Sequence, residues 1–527
     1  MRCGIVLGGL LLACGLLQQP AAGQGFDPAT IDWERMSRIP LRDVFIRQFN
    51  EACASCHGED LQGLPRGPAL VGAKLLHGER VEDIARSIAS GFPERGMPGF
   101  AETLSEDNIW NLALYVAEQR QGLTILDKRE SIELGIPAGT VHSEQHDFRI
   151  QTIASGLDAM PFSIAPLPDG RILLSERMRG LRFIGQDGSV SPYVTGTPEV
   201  FADSTLFLGQ VQGLGWLLGI ALHPRYEENG WIYLHHTDRC EDCNDLSRRS
   251  GRPVSMNRLI RGRIRNGEWV DEQVLWEAAP ESYSQMSDLA AGGRVAFDEH
   301  EQVYFSVGMK GALDFIGIQE LDSPYGKIHR LHDDGRIPVD NPFVGVEGAL
   351  PSIYSYGHRS PQGLAFNRLS GEMWETEMGP RGGDELNRLI AGGNYGWPIF
   401  TTGVNYDGRP VNVAGQLGIE LAEADAIFPV VDWTPAIAIS NFIFYDGDEF
   451  PQWQGNIIAG TLRATDLLRM EVKNNRVVHT EVLLENLARF RDIKQGPMGE
   501  LYLLLENKAG SKIIRLLPAV AEEQATQ

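Results

Sequence analysis

Cys53, Cys56 and His57 stand in the stretch EACASCHGEDLQG (51–63) as Cys-x-x-Cys-His. Two thiols at this spacing can form thioethers with the vinyl groups of a haem, and the adjacent imidazole can ligate its iron. A thioether opposite that histidine raises the haem potential and suits electron transfer. Met97, in the Gly/Pro loop GMPGF, is the candidate; the plainer reading is a core methionine. One haem moves one electron at a time, so the rest of the chain should say where its electrons originate. Cys240 and Cys243 form a second pair, CEDC, but Asn244 follows where a haem histidine would be needed. A local disulfide is expected there, as suits an oxidising compartment. The alternative is a thiolate metal site using Asp242, Asp245, His235 or His236.

The elements that must position the haem are short. Leu41, Val44, Phe45, Gln48 and Phe49 recur at helical spacing ahead of Cys53. GEDLQGLPRGPALVGAKLL is too rich in Gly and Pro for an element. VEDIARSIASG reads as a short helix. A final helix starts at SEDN, with Ser105 as N-cap and Ile109, Leu112, Ala113, Val116 and Ala117 as its apolar stripe. CASCHG, GPALVG, GMPGF and the last helix, in that order, resemble a class I cytochrome c over residues 28–121. Residues 122–145 show no sustained period and read as a linker, a tether that keeps the haem near its donor.

From 146 to 518 the hydrophobic period switches to two. RILLSERMRGLRFIGQDG, WIYLHHTD, RVAFDEHEQVYFSVG and GELYLLLENKAGSKIIRLL are short strands joined by tight turns such as PDG, QDG, DDG and YDG. Strands at this spacing fit a propeller of about six four-stranded blades. AGGNYGWP is glycine-rich but opens no helix, so it reads as a turn rather than a phosphate cradle. The fold class is thus two-domain: a small all-α cytochrome c domain followed by a six-bladed β-propeller, with a tail at 519–527.

The chain has 527 residues and a net charge of −23, a surface that repels nucleic acid and anionic membranes. MRCGIVLGGLLLACGLLQQPAAGQG pairs a basic start with a short apolar core, so residues 1–23 read as an export signal. Cys14 in LLAC offers a lipoprotein alternative. No later apolar run reaches the length of a membrane span. A periplasmic location is the expectation, and covalent haem attachment fits it.

PFSIAPLPDGRILLSER, LLGIALHP, YGHRSPQGLAF, MGPRGGDELNRLIAGGNYGWP and RFRD occur in that order. They are similar to the soluble quinoprotein glucose and aldose sugar dehydrogenases, the glucose/sorbosone dehydrogenase family, over about 160–515. The resemblance implies a six-bladed propeller that binds pyrroloquinoline quinone (PQQ) with calcium and oxidises the C1 hydroxyl of aldoses. It places PQQ at Arg359, Arg463, Arg489 and Arg491, and calcium at Gly379 and Pro380 with Asp384 close by. The chemistry agrees, since PQQ carries three carboxylates that arginine forks bind, and calcium is a hard ion that takes oxygens.

The departures fall on the catalytic side. The family's base histidine corresponds to Ala290, its partner aspartate to Met309, and a loop glutamine to Leu214. Neither alanine nor methionine can take a proton from a hydroxyl. Asp288 is the nearest replacement on the same segment, and the HHTDRCEDCND loop is another source. His223 matches a family structural histidine and His300 sits in a hairpin turn, so neither restores the site. The expected function is PQQ-dependent oxidation of a sugar or related alcohol, with electrons passing to the haem and on to a cytochrome or oxidase. The alternative is a catalytically inactive propeller, a binding scaffold carrying a cytochrome.

Overall fold

A computed structural model describes residues 44–123, 134–203, 205–207, 210–310, 315–411, 419 and 421–519. The export signal with Cys14, most of the tail and part of the 122–145 linker lie outside the described residues. Helix α1 (Val44–Ala52) leads into the one-turn α2 (Ala54–His57), and α3 (Val81–Ser90) and α4 (Glu106–Arg120) complete the first domain. Ser105 caps α4, its side chain accepting from the Asn108 amide at 3.3 Å. Phe45, Phe49, Ile84, Ile88, Leu112 and Val116 meet in one core, with the Phe49 and Tyr115 rings 5.4 Å apart. The apolar stripe of α4 is buried as its spacing predicts. Its polar positions Asn111 and Glu118, on the opposite face, are buried as well. A helix buried all round has neighbours on both sides, and the second neighbour is the propeller.

Six antiparallel blades form that propeller. Their innermost strands are Pro161–Pro166, Leu217–Leu222, Gly292–Phe297, Pro361–Asn367, Ile439–Phe444 and Arg489–Gln495. Each touches the next, and the last returns to the first. Five blades have four strands and the first has three. Phe148–Leu157 supplies the outer strand of the last blade by pairing with Ser511–Pro518, so the two ends of the domain close the ring. Strands near the axis are covered on both faces by adjacent blades. Ile172–Glu176 and Val303–Val307 are accordingly buried throughout, whereas the edge strand Arg476–Leu484 is largely exposed. Among the described residues no helix is long and apolar enough to cross a membrane.

Residues 134–147 do not hang free as a tether. Leu134, Ile136 and Val141 pack on the core of the last two blades, and Val141 pairs with Phe148.

Candidate redox site

Helix α2 places Cys53, Cys56 and His57 around one turn, and neither thiol is engaged in a disulfide. His57 Nδ1 lies 2.8 Å from the Pro68 carbonyl. Donation of Nδ1–H to that oxygen fixes the tautomer and leaves the Nε2 lone pair for iron. Gly67 must be glycine: a Cβ there would stand 2.8 Å from the Cys56 carbonyl. Met97 is held by a two-way backbone pairing with Phe92, N···O 2.8 and 3.1 Å, in a loop rather than in the core. Two free thiols, an oriented imidazole and a loop thioether fit a covalently attached haem.

The other expected cofactor residues gather at one end of the propeller axis. Arg489 and Arg491 both reach Glu506, at 2.8 and 2.6 Å. Arg294, fully buried, lies 3.1 Å from Asp492 and donates to the Gln362 and Arg491 carbonyls. Arg177, at the end of LLSER, is the residue that sequence reasoning passed over. It is buried over the Phe162 and Trp216 rings, and its Nε has no hydrogen-bond partner. Burial, reinforced by the charge of Arg491, pulls its pKa well below the ordinary arginine range. Burial likewise lowers Arg294 to about 10, against the pull of Asp492. For Glu506 burial works upward, but Arg491, Arg489 and Arg177 outweigh it and hold the carboxyl at about 2. Four arginines thus face two carboxylates, an excess of buried positive charge that asks for an anion.

Arg359 adds to this. Its Nη1 donates to the Met378 and Gly379 carbonyls at 2.7 and 2.9 Å, while its buried Nε has no partner. Of the two carbonyls expected to hold calcium, that of Gly379 thus accepts from the Arg359 guanidinium. Asp384 is fully buried, and its oxygens accept the Gly379 and Ile439 amides at 2.9 Å each. Burial pushes its pKa up to about 7. Asp384 thus shapes the MGPRGGDE loop around Gly379 and the buried Pro380. The loop is tight enough that a Cβ on Gly379 would lie 2.1 Å from the Gly382 carbonyl. The spare arginine donors fit a polyanionic cofactor. Arg463 completes the arc, donating to the Ala436 carbonyl at 2.9 Å and to Glu118 at 2.8 Å.

On the catalytic side Ala290 and Leu214 are half-buried, and Met309 is buried in the core of the adjoining blades. Asp288 takes a positioning role rather than that of a poised base. Its Oδ1 meets Lys310 Nζ and Ser255 Oγ at 2.8 Å each. Its Oδ2 accepts from Gly215 N at 2.7 Å and Thr237 Oγ1 at 2.6 Å. Both side chains of the Asp288–Lys310 pair are fully buried. A carboxylate committed to four donors has no lone pair directed at a substrate. The segments that hold the family's base and its partner are here pinned together by an ion pair, one member displaced by two residues and the other by one.

Cys240 and Cys243 are joined in a disulfide, so their sulfurs ligate no metal. His235 and His236 are buried, and burial lowers both to about 3, leaving them neutral. His223 Nδ1 accepts the Arg225 amide, a structural use, and His300 is exposed in its turn. A cluster that spacing did not reveal lies behind Arg359. His358, Glu375 and Glu377 are buried with ligand atoms within 4.8 Å of one another. Burial alone would lower the His358 pKa, but the Glu375 and Glu377 carboxylates, each 3.5 Å from Nδ1, raise it to about 9.

Residues 158–515 match the family described as glucose/sorbosone dehydrogenase, and residues 47–116 match the family described as cytochrome c oxidase, cbb3-type, subunit III. Aldose sugar dehydrogenase YliI of Escherichia coli is 33% identical over 365 residues, 68% of this chain and 90% of that protein. Quinoprotein glucose dehydrogenase B of Acinetobacter calcoaceticus is 25% identical over 452 residues, 71% of this chain and 88% of that protein. The apo crystal structure of the soluble E. coli aldose sugar dehydrogenase superposes with a TM-score of 0.60 at 30% identity, covering 71% of this chain and all of that one. The chain belongs to the glucose/sorbosone dehydrogenase family and carries a cytochrome c domain at its N-terminal side.

Proposed function

We propose that this protein is a periplasmic quinohaemoprotein that oxidises a sugar or related alcohol at a PQQ site and passes the electrons to its own covalent haem c. The observation that carries the reading is the arc of Arg359, Arg463, Arg489 and Arg491, joined by Arg177, with two buried guanidinium Nε atoms left without partners. The chain's similarity to a quinoprotein glucose dehydrogenase and an aldose sugar dehydrogenase supports it. PQQ, when bound with calcium, would supply acceptance of two electrons, and the haem would discharge them one at a time to a cytochrome or oxidase.

The chain's own residues do the rest. Arg177, Arg359, Arg489 and Arg491 bind and orient the carboxylates of the cofactor. The loop shaped by Asp384 would offer the Pro380 carbonyl to the cation, together with that of Gly379 if Arg359 turned to the cofactor. The Asp288–Lys310 pair fixes the segment carrying Ala290, so that an apolar wall stands where the family places its base. The substrate proton must then leave to a group outside that position. His57 and Met97 would hold the haem iron.

The test is the visible spectrum of the oxidised haem protein reconstituted with calcium and PQQ and offered aldoses and simple alcohols. Growth of the reduced-haem α-band that requires both PQQ and one substrate class is expected. A haem reduced by dithionite but by no PQQ–substrate pair would sink the dehydrogenase reading and favour the scaffold.

A further inference from the structure

Helix α4 carries two polar residues seven apart, Asn111 and Glu118, which fall on the same face. Both are buried against the propeller. Glu118 receives Arg381 through Nε at 3.0 Å and Nη2 at 2.6 Å, and Arg463 through Nη2 at 2.8 Å. Glu118 and Arg381 each keep 1% of their side-chain surface in solvent. The Phe45 ring of α1 covers the Arg381 guanidinium at 3.6 Å. Asn111 Nδ2 donates to the Gly408 carbonyl at 2.8 Å, and Val404 of the propeller packs into the cytochrome core. Beyond α4, Leu123 enters the core of the blades around Trp374 and Ile439.

This contact has an unusual address. Arg381 lies in the MGPRGGDE loop, two residues after Gly379, and Arg463 belongs to the cofactor arc. One carboxylate of the cytochrome domain therefore ties together the two segments that frame the candidate quinone site. A carboxylate out of water between two guanidinium groups makes strong charge-assisted hydrogen bonds, and its removal takes the shared anion away from the buried Arg381 and the half-buried Arg463. A surface dock held by scattered exposed pairs would have neither property.

We propose that Glu118 is the latch that docks the cytochrome c domain on the rim of the quinone site, and that the latched pose is the one that delivers electrons to the haem. The second half rests on the function proposed above. Glu118 acts as a positioning residue: it touches no reacting atom, and it sets the distance between the two redox centres by holding Arg381 and Arg463.

The test compares the full-length haem protein, loaded with PQQ and calcium, with Glu118→Ala and Gly408→Val. The second variant leaves the arginines untouched. A Cβ at Gly408 would stand 2.5 Å from Asn111 Nδ2 and 2.7 Å from the Phe45 ring, a wedge in the same interface. Small-angle scattering and amide hydrogen exchange read docking without reference to activity. Both variants are expected to enlarge the radius of gyration and to speed exchange in the Arg381–Val404 pairing at least tenfold. The haem α-band should stay intact, which reports a folded cytochrome domain. The ratio of haem reduction by substrate to reduction of a small phenazine acceptor should fall at least tenfold, a split that a general loss of stability would not produce. Glu118→Ala with unchanged scattering and exchange would overturn the latch. Opened variants with an unchanged reduction ratio would overturn its part in electron delivery. If no substrate reduces the wild-type haem, the dehydrogenase reading fails, while scattering and exchange still decide the latch.

Discussion

Asp288→Ala separates a positioning carboxylate from a catalytic one. The substitution removes the partner of a fully buried Lys310 and the acceptor for Gly215 N, Thr237 Oγ1 and Ser255 Oγ. Breaking a buried pair by deleting one partner costs about 3–5 kcal/mol, because the other charge stays out of water. A propeller of roughly 370 residues, with ~2.1 cal/mol/K of unfolding entropy per residue, converts ~4 kcal/mol into a fall in Tm of about 5 °C. Lys310→Met added to Asp288→Ala removes the stranded ammonium and should restore part of that loss. Calorimetry of the three proteins checks the stability, and haem reduction under saturating PQQ and substrate checks the chemistry. Turnover per folded molecule should fall less than about tenfold in Asp288→Ala, against the ~100-fold or more expected for loss of a general base. An unchanged Tm with turnover abolished would refute the positioning role and restore Asp288 as the base.

Three further outcomes are expected. Arg177→Met should weaken PQQ binding at least about tenfold, read by titration of the apo protein, because it removes a buried guanidinium whose Nε is unpartnered. Met97→Ala should abolish the sulfur-to-iron charge-transfer band and lower the haem potential, while haem attachment at Cys53 and Cys56 persists. His358 has a folded pKa of about 9, above its ordinary 6.5. The stability it contributes is therefore complete below about pH 6.5 and is lost as pH rises through about 9. Tm should decline between pH 7 and pH 9.5, and His358→Gln should flatten that decline.

The cytochrome domain was legible because its signals are local. Cys53, Cys56 and His57 are contiguous, Ser105 starts a helix by its own hydrogen bond, and Met97 sits in a loop that no core pattern claims. The propeller was legible for a related reason: each blade is a set of neighbouring strands, so a local period repeats. What escaped notice is non-local. Asn111 and Glu118 look like the wet side of an amphipathic helix, and nothing near them in sequence announces Gly408, Arg381 or Arg463. Residues 134–145 lack a period because they pack on the last two blades as an irregular strap. Arg177 reads as an ordinary charge after a strand until the ring brings Arg491 beside it. Asp288 stands out in sequence for its nearness to Ala290, but Lys310 answers it from the loop after Val303–Val307. Offset substitutions of that kind are visible only once the two segments lie side by side.

The closing blade sets an order of manufacture. Phe148 pairs with Pro518 and Leu157 with Ser511, so the propeller strand made first waits for the one made last. Until Ser511–Pro518 emerges, Phe148–Leu157 lacks its strand partner, while the cytochrome domain ahead of it already has its described helices and its CxxCH turn. Haem can thus be attached to a small finished domain before there is a ring to dock on. A chain that stops short of Ser511–Pro518 would leave an open propeller with its first strand exposed, a product for proteolysis rather than a shortened enzyme.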